Sequence, residues 1–240
     1  MEFHNKTVII TGASVGIGKA TAVEFAKNGA NVCIVDIDAE GLNILAEEIK
    51  SIGANVTSYI CDVSDEQRVH EVTQQIICQY GKIDILVNNA GLWRVWKPFV
   101  ETTSDEWKKK ISVNILGMMY FTHEVLPNMI QNTYGRIINI GSVAGVYGNL
   151  KMVDYSMTKG AVSSFTKALA KEVADKGITV NNVVPGTVRN EGAKAEIDLC
   201  YMGRTGELEE YAYLISFLAS DKAAYISGQD YQIDGCRRMI

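Results

Sequence analysis

Histidine is almost missing from this 240-residue chain, and the three that occur, His4, His70 and His123, stand far apart. No metal site is expected from them, because such sites gather His, Cys and carboxylate ligands at short, recurring spacings. Paired cysteine spacing is missing too. Cys33, Cys61, Cys78, Cys200 and Cys236 are odd in number and scattered, with no C-x-x-C. The simplest account is thiols in a reducing cytoplasm. No apolar run approaches the ~20 residues that span a bilayer. The opening Met1-Glu2-Phe3-His4-Asn5-Lys6 lacks the charged-then-apolar pattern of a secretory signal. A membrane partner is therefore not expected. Nor is a nucleic acid, since the formal net charge is −5 and no Lys/Arg block stands out. With three prolines and no repeat, low-complexity stretch or linker, one domain is expected over residues 1–240.

What is present is apolar residue, 47% of the chain, laid out as alternating strand and helix. Thr7–Thr11 reads as a short buried strand, followed by a glycine-rich turn and a helix to about Asn28. Asn31–Asp36 is a second strand, Ala39–Ser51 a helix, Asn55–Cys61 a third strand. A helix over Asp65–Tyr80 is capped by Ser64 or Asp65, and Ile83–Asn88 is the fourth strand. Thr103 and Glu106 form a capping box that opens a long helix over Ser104–Asn132, which Pro127 is expected to kink or end. Gly135–Ile140 is the fifth strand, Val153–Asp175 a helix, Thr179–Val184 the sixth strand. Glu207–Leu218 is helical and Tyr231–Asp234 closes the pattern as a seventh strand. The expected fold is α/β, a doubly wound parallel seven-stranded sheet with helices on both faces.

Two stretches carry chemistry. Gly12-Ala13-Ser14-Val15-Gly16-Ile17-Gly18 lies between a strand and a helix, where glycines let the backbone approach a phosphate and the helix start offers free N–H groups. Asp36 ends the next strand eighteen residues after Gly18. It can accept hydrogen bonds from ribose hydroxyls and would repel a 2′-phosphate, although a helix cap is also open to it. In Tyr155-Ser156-Met157-Thr158-Lys159, the Tyr and Lys fall one turn apart on one helix face. An ammonium beside a phenol favours the phenolate, which makes Tyr155 a usable acid/base. Ser142, at the end of the fifth strand, can hold a carbonyl or alcohol oxygen. Alone, the Tyr–Lys pair is a weak signal and reads more readily as two surface residues of an ordinary helix.

Taken together, Thr11-Gly12-x-x-x-Gly16-Ile17-Gly18, Asn88-Asn89-Ala90-Gly91, Ser142, Tyr155-x-x-x-Lys159 and Pro185-Gly186 resemble the short-chain dehydrogenase/reductase family, in order and over nearly the whole chain. The resemblance implies a Rossmann fold, a nicotinamide cofactor, a small-molecule alcohol or ketone substrate and a homotetramer. Tyr155 matches the general acid/base, Lys159 the residue that lowers its pKa and holds the nicotinamide ribose, and Ser142 the residue that polarises the substrate oxygen. Asn114 matches a residue whose helix irregularity holds a water in the proton relay. Gly12, Ser14 and Ile17 would line the pyrophosphate, Asp62 and Val63 flank the adenine, and Asn89 lie under the adenosine half. Val188 would meet the nicotinamide carboxamide through its backbone.

The sequence departs from the family pattern in informative places. Val15 stands where NADP-preferring members often carry Arg or Lys, so with Asp36 it argues for NAD over NADP. Asn190 replaces a usual Thr and can still hydrogen-bond a carboxamide. The substrate lid, about 187–206, is short, which suits a bulky substrate or is simply an inconsequential loop. Trp93, Arg94 and Trp96 after the Asn-Asn-Ala-Gly motif, and Tyr147 after Ser142, are candidates to line an apolar pocket. Trp93 and Trp96 can equally pack a subunit interface. The leading expectation is a secondary-alcohol dehydrogenase, with a hydroxysteroid-like substrate ahead of a 3-oxoacyl-[acyl-carrier-protein] reductase or a sugar/polyol dehydrogenase. A non-catalytic NAD-binding sensor is the alternative of another class, and such relatives typically lose the Tyr or Lys.

Overall fold

The structure is a computed structural model that describes residues 2–93, 96–188 and 199–238. Seven parallel strands form one sheet: β1 (Thr7–Thr11), β2 (Asn31–Asp36), β3 (Val56–Ile60), β4 (Ile85–Asn88), β5 (Gly135–Ile140), β6 (Ile178–Pro185) and β7 (Asp230–Ile233), in the order β3-β2-β1-β4-β5-β6-β7. β1, β4, β5 and β6 are buried along their whole length, as expected for continuous apolar strands covered on both faces. The order reverses between β1 and β4, which opens a crevice at the carboxyl ends of the strands.

Helices α1 (Gly16–Lys27), α2 (Ala39–Ser51) and α8 (Leu208–Ala219) cover one face, with Phe25, Leu42, Leu45, Ile49, Ile215 and Leu218 packed into one core. Helices α3 (Glu66–Tyr80), α5 (Met118–Gln131) and α7 (Val153–Val173) cover the other through Val69, Ile76, Phe121, Val125, Ala170 and Val173. The doubly wound expectation therefore holds. A buried polar network fastens the second face. Asn88 Nδ2 donates to Thr122 Oγ1 (3.0 Å) and Asn139 Oδ1 (2.9 Å), and Asn139 Nδ2 donates to Thr166 Oγ1 (2.9 Å). It ties β4 and β5 to α5 and α7. Among the described residues, no helix is long and apolar enough to cross a membrane.

The long helix expected over Ser104–Asn132 is divided, but not at Pro127. Helix α4 (Ser104–Ile111) runs into a π-helical turn at Ser112–Gly117, and α5 then continues through Pro127 to Gln131. Pro127 and His123 are both exposed, so water can satisfy the carbonyl that the proline leaves without a donor. The predicted capping box of Thr103 and Glu106 is present, and Asp65 caps α3 by accepting Arg68 N–H. A five-residue helix, α6 (Val143–Tyr147), was not apparent in the sequence. Ser142 caps it, accepting Ala144 N–H at 3.1 Å.

Helices α6 and α7 touch backbone to backbone. A Cβ at Gly145 would lie 2.5 Å from the Lys159 carbonyl carbon and 2.6 Å from Gly160 N, whereas one at Gly160 would meet only Gly145 O at 3.5 Å. Gly145→Ala is thus expected to destabilise the fold by about 1–3 kcal/mol through overpacking. Gly160→Ala, inside a helix and free of a clash, should stabilise it by about 0.5–1 kcal/mol. Urea unfolding of the two variants checks this, and the reverse order would contradict the packing described.

Candidate active site

The crevice is built first by glycine. β1 ends at Thr11, and the chain turns through Gly12 and Gly16, both at positive φ (62° and 60°). A Cβ at Gly12 would sit 2.8 Å from Ala90 Cα, and one at Gly18 only 2.1 Å from Gly12 O. Only glycine allows so tight a turn against the β4 loop. Asn89 Nδ2 donates to Thr11 O (3.0 Å) and Gly12 O (2.8 Å), while Thr11 Oγ1 accepts Asn89 N–H and Ala90 N–H. Asn89 therefore spends its amide on shaping the glycine turn. Thr11, given no role from sequence, locks the same junction. Its signal was a hydroxyl at the last strand position before the glycines. Helix α1 begins here with Val15 as an exposed N-cap that makes no side-chain bond, and Ile17 is half-buried behind it. Its first N–H groups have no side-chain cap, an arrangement that favours an anion.

Asp36 sits at the carboxyl end of β2, held by four donors. Ser14 gives both its N–H (3.0 Å) and its hydroxyl (2.8 Å) to Oδ2, and Ile37 and Asp38 N–H reach Oδ1 at 2.8 and 3.2 Å. Ser14, expected along a pyrophosphate, is thus bound to this carboxylate. Asp36 caps no helix: α2 is capped by Asp38, which accepts Gly41 N–H. Beyond β3, Asp62 is exposed and accepts Ser64 N–H and hydroxyl, while Val63 is buried against Gly117 of the π-helical turn.

At the ends of β4 and β5 the reactive groups meet. The Ser142 hydroxyl lies beside the Tyr155 phenol and pulls its pKa down. Lys159 is buried, and its Nζ donates to Ile140 O at 2.6 Å. Asn114, in the π-helical turn, accepts Leu92 N–H on Oδ1 (2.6 Å) and donates through Nδ2 to Leu92 O and Thr158 Oγ1, both at 3.0 Å. A Cβ at Gly91 would lie 3.4 Å from Lys159 Nζ and 3.7 Å from Asn114 Oδ1, so these two polar groups converge on Gly91. Thr158 was not singled out from sequence although it lies inside the Tyr-Lys motif. It accepts from Asn114 and donates to Tyr155 O at 2.8 Å. Gly145, the contact of α6 with α7, was missed as well.

One expectation is corrected in its electrostatics. Lys159 was expected to lower the Tyr155 pKa. Here burial pushes the phenol above its ordinary value, and only the Ser142 hydroxyl draws it back. The Lys159 amine stands 5.9 Å from the phenol ring centroid and is turned to a carbonyl. Burial pushes that amine down to about 8, because a low-dielectric site disfavours the charged form.

The proposed substrate side is looser. The Tyr147 hydroxyl donates to Gln232 Oε1 at 2.9 Å, which ties it to β7. Trp93 and Trp96 are 57% and 65% exposed. Arg94 and Asn190 lie outside the described residues, as does 189–198 of the lid. Val188 pairs with Gly206 in a parallel bridge, and Gly206 N–H donates to Thr187 O.

Comparison with known proteins agrees with this geometry. The sequence profile described as short chain dehydrogenase matches residues 6–198. The 3-oxoacyl-[acyl-carrier-protein] reductase of Thermotoga maritima is 38% identical over 98% of both chains. A cyclohexanol dehydrogenase of Acinetobacter is 33% identical over 98% of this chain and 95% of its own length. Among solved structures, an NAD+-bound xylitol dehydrogenase superposes with a TM-score of 0.93 at 29% identity, over 98% of this chain and 100% of that one.

The Lys159 amine sets a pH signature. In the unfolded chain it titrates near 10.5, in the folded protein near 8. Below pH 8 both states carry the charge, and the folded state bears the full cost of burying it. Between 8 and 10.5 the folded protein has shed the proton that the unfolded chain keeps, so this group's contribution to stability rises with pH. Lys159→Met should therefore be more stable than the native protein at pH 7, by a margin that shrinks across that window. Urea midpoints of both proteins against pH measure it; a margin that widens towards pH 10.5 would refute the assignment.

Proposed function

The chain belongs to the short-chain dehydrogenase family of oxidoreductases, and from that premise we propose that it is an NAD(H)-dependent enzyme moving hydride between the cofactor and a secondary alcohol or its ketone. The observation that carries the proposal is the meeting of the Ser142 hydroxyl, the Tyr155 phenol and the buried Lys159 amine beside a glycine turn that a single Cβ would fill. The residues present fit a dinucleotide. Gly12, Gly18 and the start of α1 suit the pyrophosphate, Asp36 the adenosine ribose, Asp62 and Val63 the adenine, and Lys159 and Val188 the nicotinamide half, with Asn190 assigned there by sequence alone. When bound, the nicotinamide supplies the hydride acceptor in oxidation and the donor in reduction.

The protein's own part is proton chemistry. Ser142 Oγ–H holds the substrate oxygen. In oxidation the Tyr155 phenolate takes the hydroxyl proton; in reduction the phenol returns it to the forming alkoxide. Asn114, set in the π-helical turn beside Lys159, suits the role of anchoring a water that reconnects Lys159 with solvent. NAD rather than NADP is favoured by Asp36, whose carboxylate is fixed by four donors. A 2′-phosphate beside it would juxtapose like charges at a cost of several kcal/mol. Val15 supplies no cation to offset that.

For the substrate, the likeness to a xylitol dehydrogenase and a cyclohexanol dehydrogenase supports a polyol or alicyclic secondary alcohol. The narrower hydroxysteroid expectation stays an arm of the test. A second reading, a 3-oxoacyl-[acyl-carrier-protein] reductase, is favoured by relatives of that name at 38% and 36% identity. Against it stands Gln131-Asn132-Thr133-Tyr134, which offers no basic patch for an acidic carrier.

The test is a panel of cyclohexanol, xylitol, a hydroxysteroid and acetoacetyl thioester, each with NAD(H) and NADP(H). NAD(H) should give the higher kcat/KM, and Asp36→Ala should narrow the gap; equal efficiency with both cofactors would overturn the assignment. Tyr155→Phe should lose about 10² to 10⁴-fold in turnover, the range of a positioned acid/base, while NADH still binds. Because burial holds the phenol above its ordinary value, the proton donor is intact at neutral pH. Oxidation should speed up as pH rises towards that value, and reduction should fall off in the same range. Near-normal turnover by Tyr155→Phe would sink the mechanism.

Assembly is proposed from the family as a homotetramer. Met119 of α5, Val153 and Met157 of α7, and Tyr213 and Phe217 of α8 are exposed apolar residues suited to such contacts. Light scattering at micromolar concentration should give about four times the 26.4 kDa chain mass, and a monomer mass would refute it.

A further inference from the structure

Two rungs join α4 and the π-helical turn to α7. The upper one is Asn114 Nδ2 to Thr158 Oγ1, already met in the site. One helical turn earlier on both sides lies a second, Lys110 Nζ to Asp154 Oδ2, at 2.5 Å. Lys110 and Asp154 are only 3% and 5% exposed. Each rung residue on α7 immediately precedes a reactive one, Asp154 before Tyr155 and Thr158 before Lys159.

A fully buried ion pair is a poor device for stability, because desolvation offsets most of the attraction. This one sits at a vulnerable point. Helix α7 has no side-chain N-cap: Met152 precedes it and makes no capping bond. The N–H groups of a first helical turn have no partner within the helix. The one belonging to Tyr155 donates to Asp154 Oδ1 at 2.8 Å. One carboxylate therefore fixes the backbone of the acid/base with one oxygen and is anchored to another helix with the other. Its neighbours Lys108 and Lys109 are exposed, so burial singles out the third lysine of the run. Nothing in the Ser-Tyr-Lys chemistry uses either residue.

We infer that Lys110 and Asp154 are positioning residues, a buried pair that sets the first turn of α7 against α4 and thereby aims the Tyr155 phenol at the substrate oxygen. The inference rests on the acid/base reading of Tyr155. Neither side chain touches the reacting atoms; they act through the Tyr155 backbone and the register of α7. A shift of an ångström at the phenol is enough to cost on the order of 100-fold in rate.

The experiment compares Lys110→Met, Lys110→Arg and the double variant Lys110→Met/Asp154→Asn with the native protein and Tyr155→Phe. The double variant strands no buried charge, and its Asn can still accept the Tyr155 N–H, so it remains foldable if Lys110→Met does not. Turnover is measured on the substrate that the panel establishes, NADH affinity by fluorescence titration, and the phenol directly by NMR of protein carrying ¹³C-labelled tyrosine. Tyr155 is the resonance that Tyr155→Phe removes. The double variant should lose about 10- to 100-fold in kcat, with KM and NADH affinity within about two-fold and the Tyr155 resonance displaced. Lys110→Arg, which keeps the charge and the tether, should recover most of the turnover. A folded double variant with native kcat and an unmoved Tyr155 resonance would overturn the inference. If Tyr155→Phe itself keeps its turnover, the acid/base reading fails instead, while the Tyr155 resonance of the double variant still decides whether the pair positions that side chain.

Discussion

The site depends on an amine held almost entirely out of water. Lys159 lies within the first turns of α7, against the backbone of α6 and the end of β5, with one carbonyl, Ile140 O, as its close partner. Burying such a group costs free energy in its charged form, and the fall of its pKa to about 8 measures that cost. The arrangement persists because the rest of the domain over-determines it. Gly145 has no side chain where α6 crosses the Lys159 backbone. Asn139 and Thr166 fasten α7 to β5 from inside the core. An amine held this way has lost its solvent partners and remains available to a ribose hydroxyl or a water. The same burial raises Tyr155, so acid and amine are each displaced towards their neutral forms, the acid by losing water and the base for the same reason. At neutral pH the phenol keeps its proton and the amine, lowered to about 8, still carries its charge, so the crevice offers a donor beside a cation.

The two ends of the crevice solve different electrostatic problems. At the β2 end the carboxylate of Asp36 is held in place by four donors supplied locally, two of them from Ser14 in the glycine turn. The discrimination proposed there rests on a carboxylate held by hydrogen bonds. At the β5 end, where proton transfer is proposed, Lys159 and Asn114 are buried and Ser142 and Tyr155 half-buried. The glycine turn sits between the two ends. Its tightness, with Gly18 on Gly12 O and Gly12 on Ala90, links cofactor recognition to the β4 loop that leads on to Asn114 through Leu92.

Most of the fold was legible in the sequence because parallel strands covered on both faces leave continuous apolar runs, and seven of them stand between helical segments. Strand ends matched within two residues at β3, β4, β6 and β7. The division of the long helix was not legible at its true place. Pro127 is the conspicuous breaker, yet it lies on the water side of α5 and disturbs nothing. The real irregularity, at Ser112–Gly117, contains no proline and is made by tertiary contacts, with Asn114 bonding the β4 loop and Gly117 pressed on Val63. The candidate reactive residues could be picked out as a set because their spacing is sequence-local or strand-terminal. Their pKa values could not. The expectation for Tyr155 weighed the neighbouring ammonium, and burial, which no local pattern reports, outweighs it. Lys110 and Asp154 escaped for a similar reason, since a third consecutive lysine reads as solvated until the fold buries it.

The contrast between the two sides of the crevice bears on how such a chain acquires a substrate. The groups proposed to move a proton or to cradle a phosphate are anchored on strand ends and helix starts. Side chains that would meet the rest of a substrate lie in the loops after β4, β5 and β6: Trp93 and Trp96, Leu150, Tyr201 and Met202, all exposed. Loops placed on a rigid sheet tolerate substitution without disturbing the core. A single scaffold can therefore keep its reaction while its specificity drifts, and relatives of similar identity can bear the names of an acyl-carrier reductase and a cyclohexanol dehydrogenase. Identity summed over the chain counts mainly the shared half. What distinguishes one substrate from another is carried by a few loop residues, which is why the reaction class follows from the site and the substrate has to be measured.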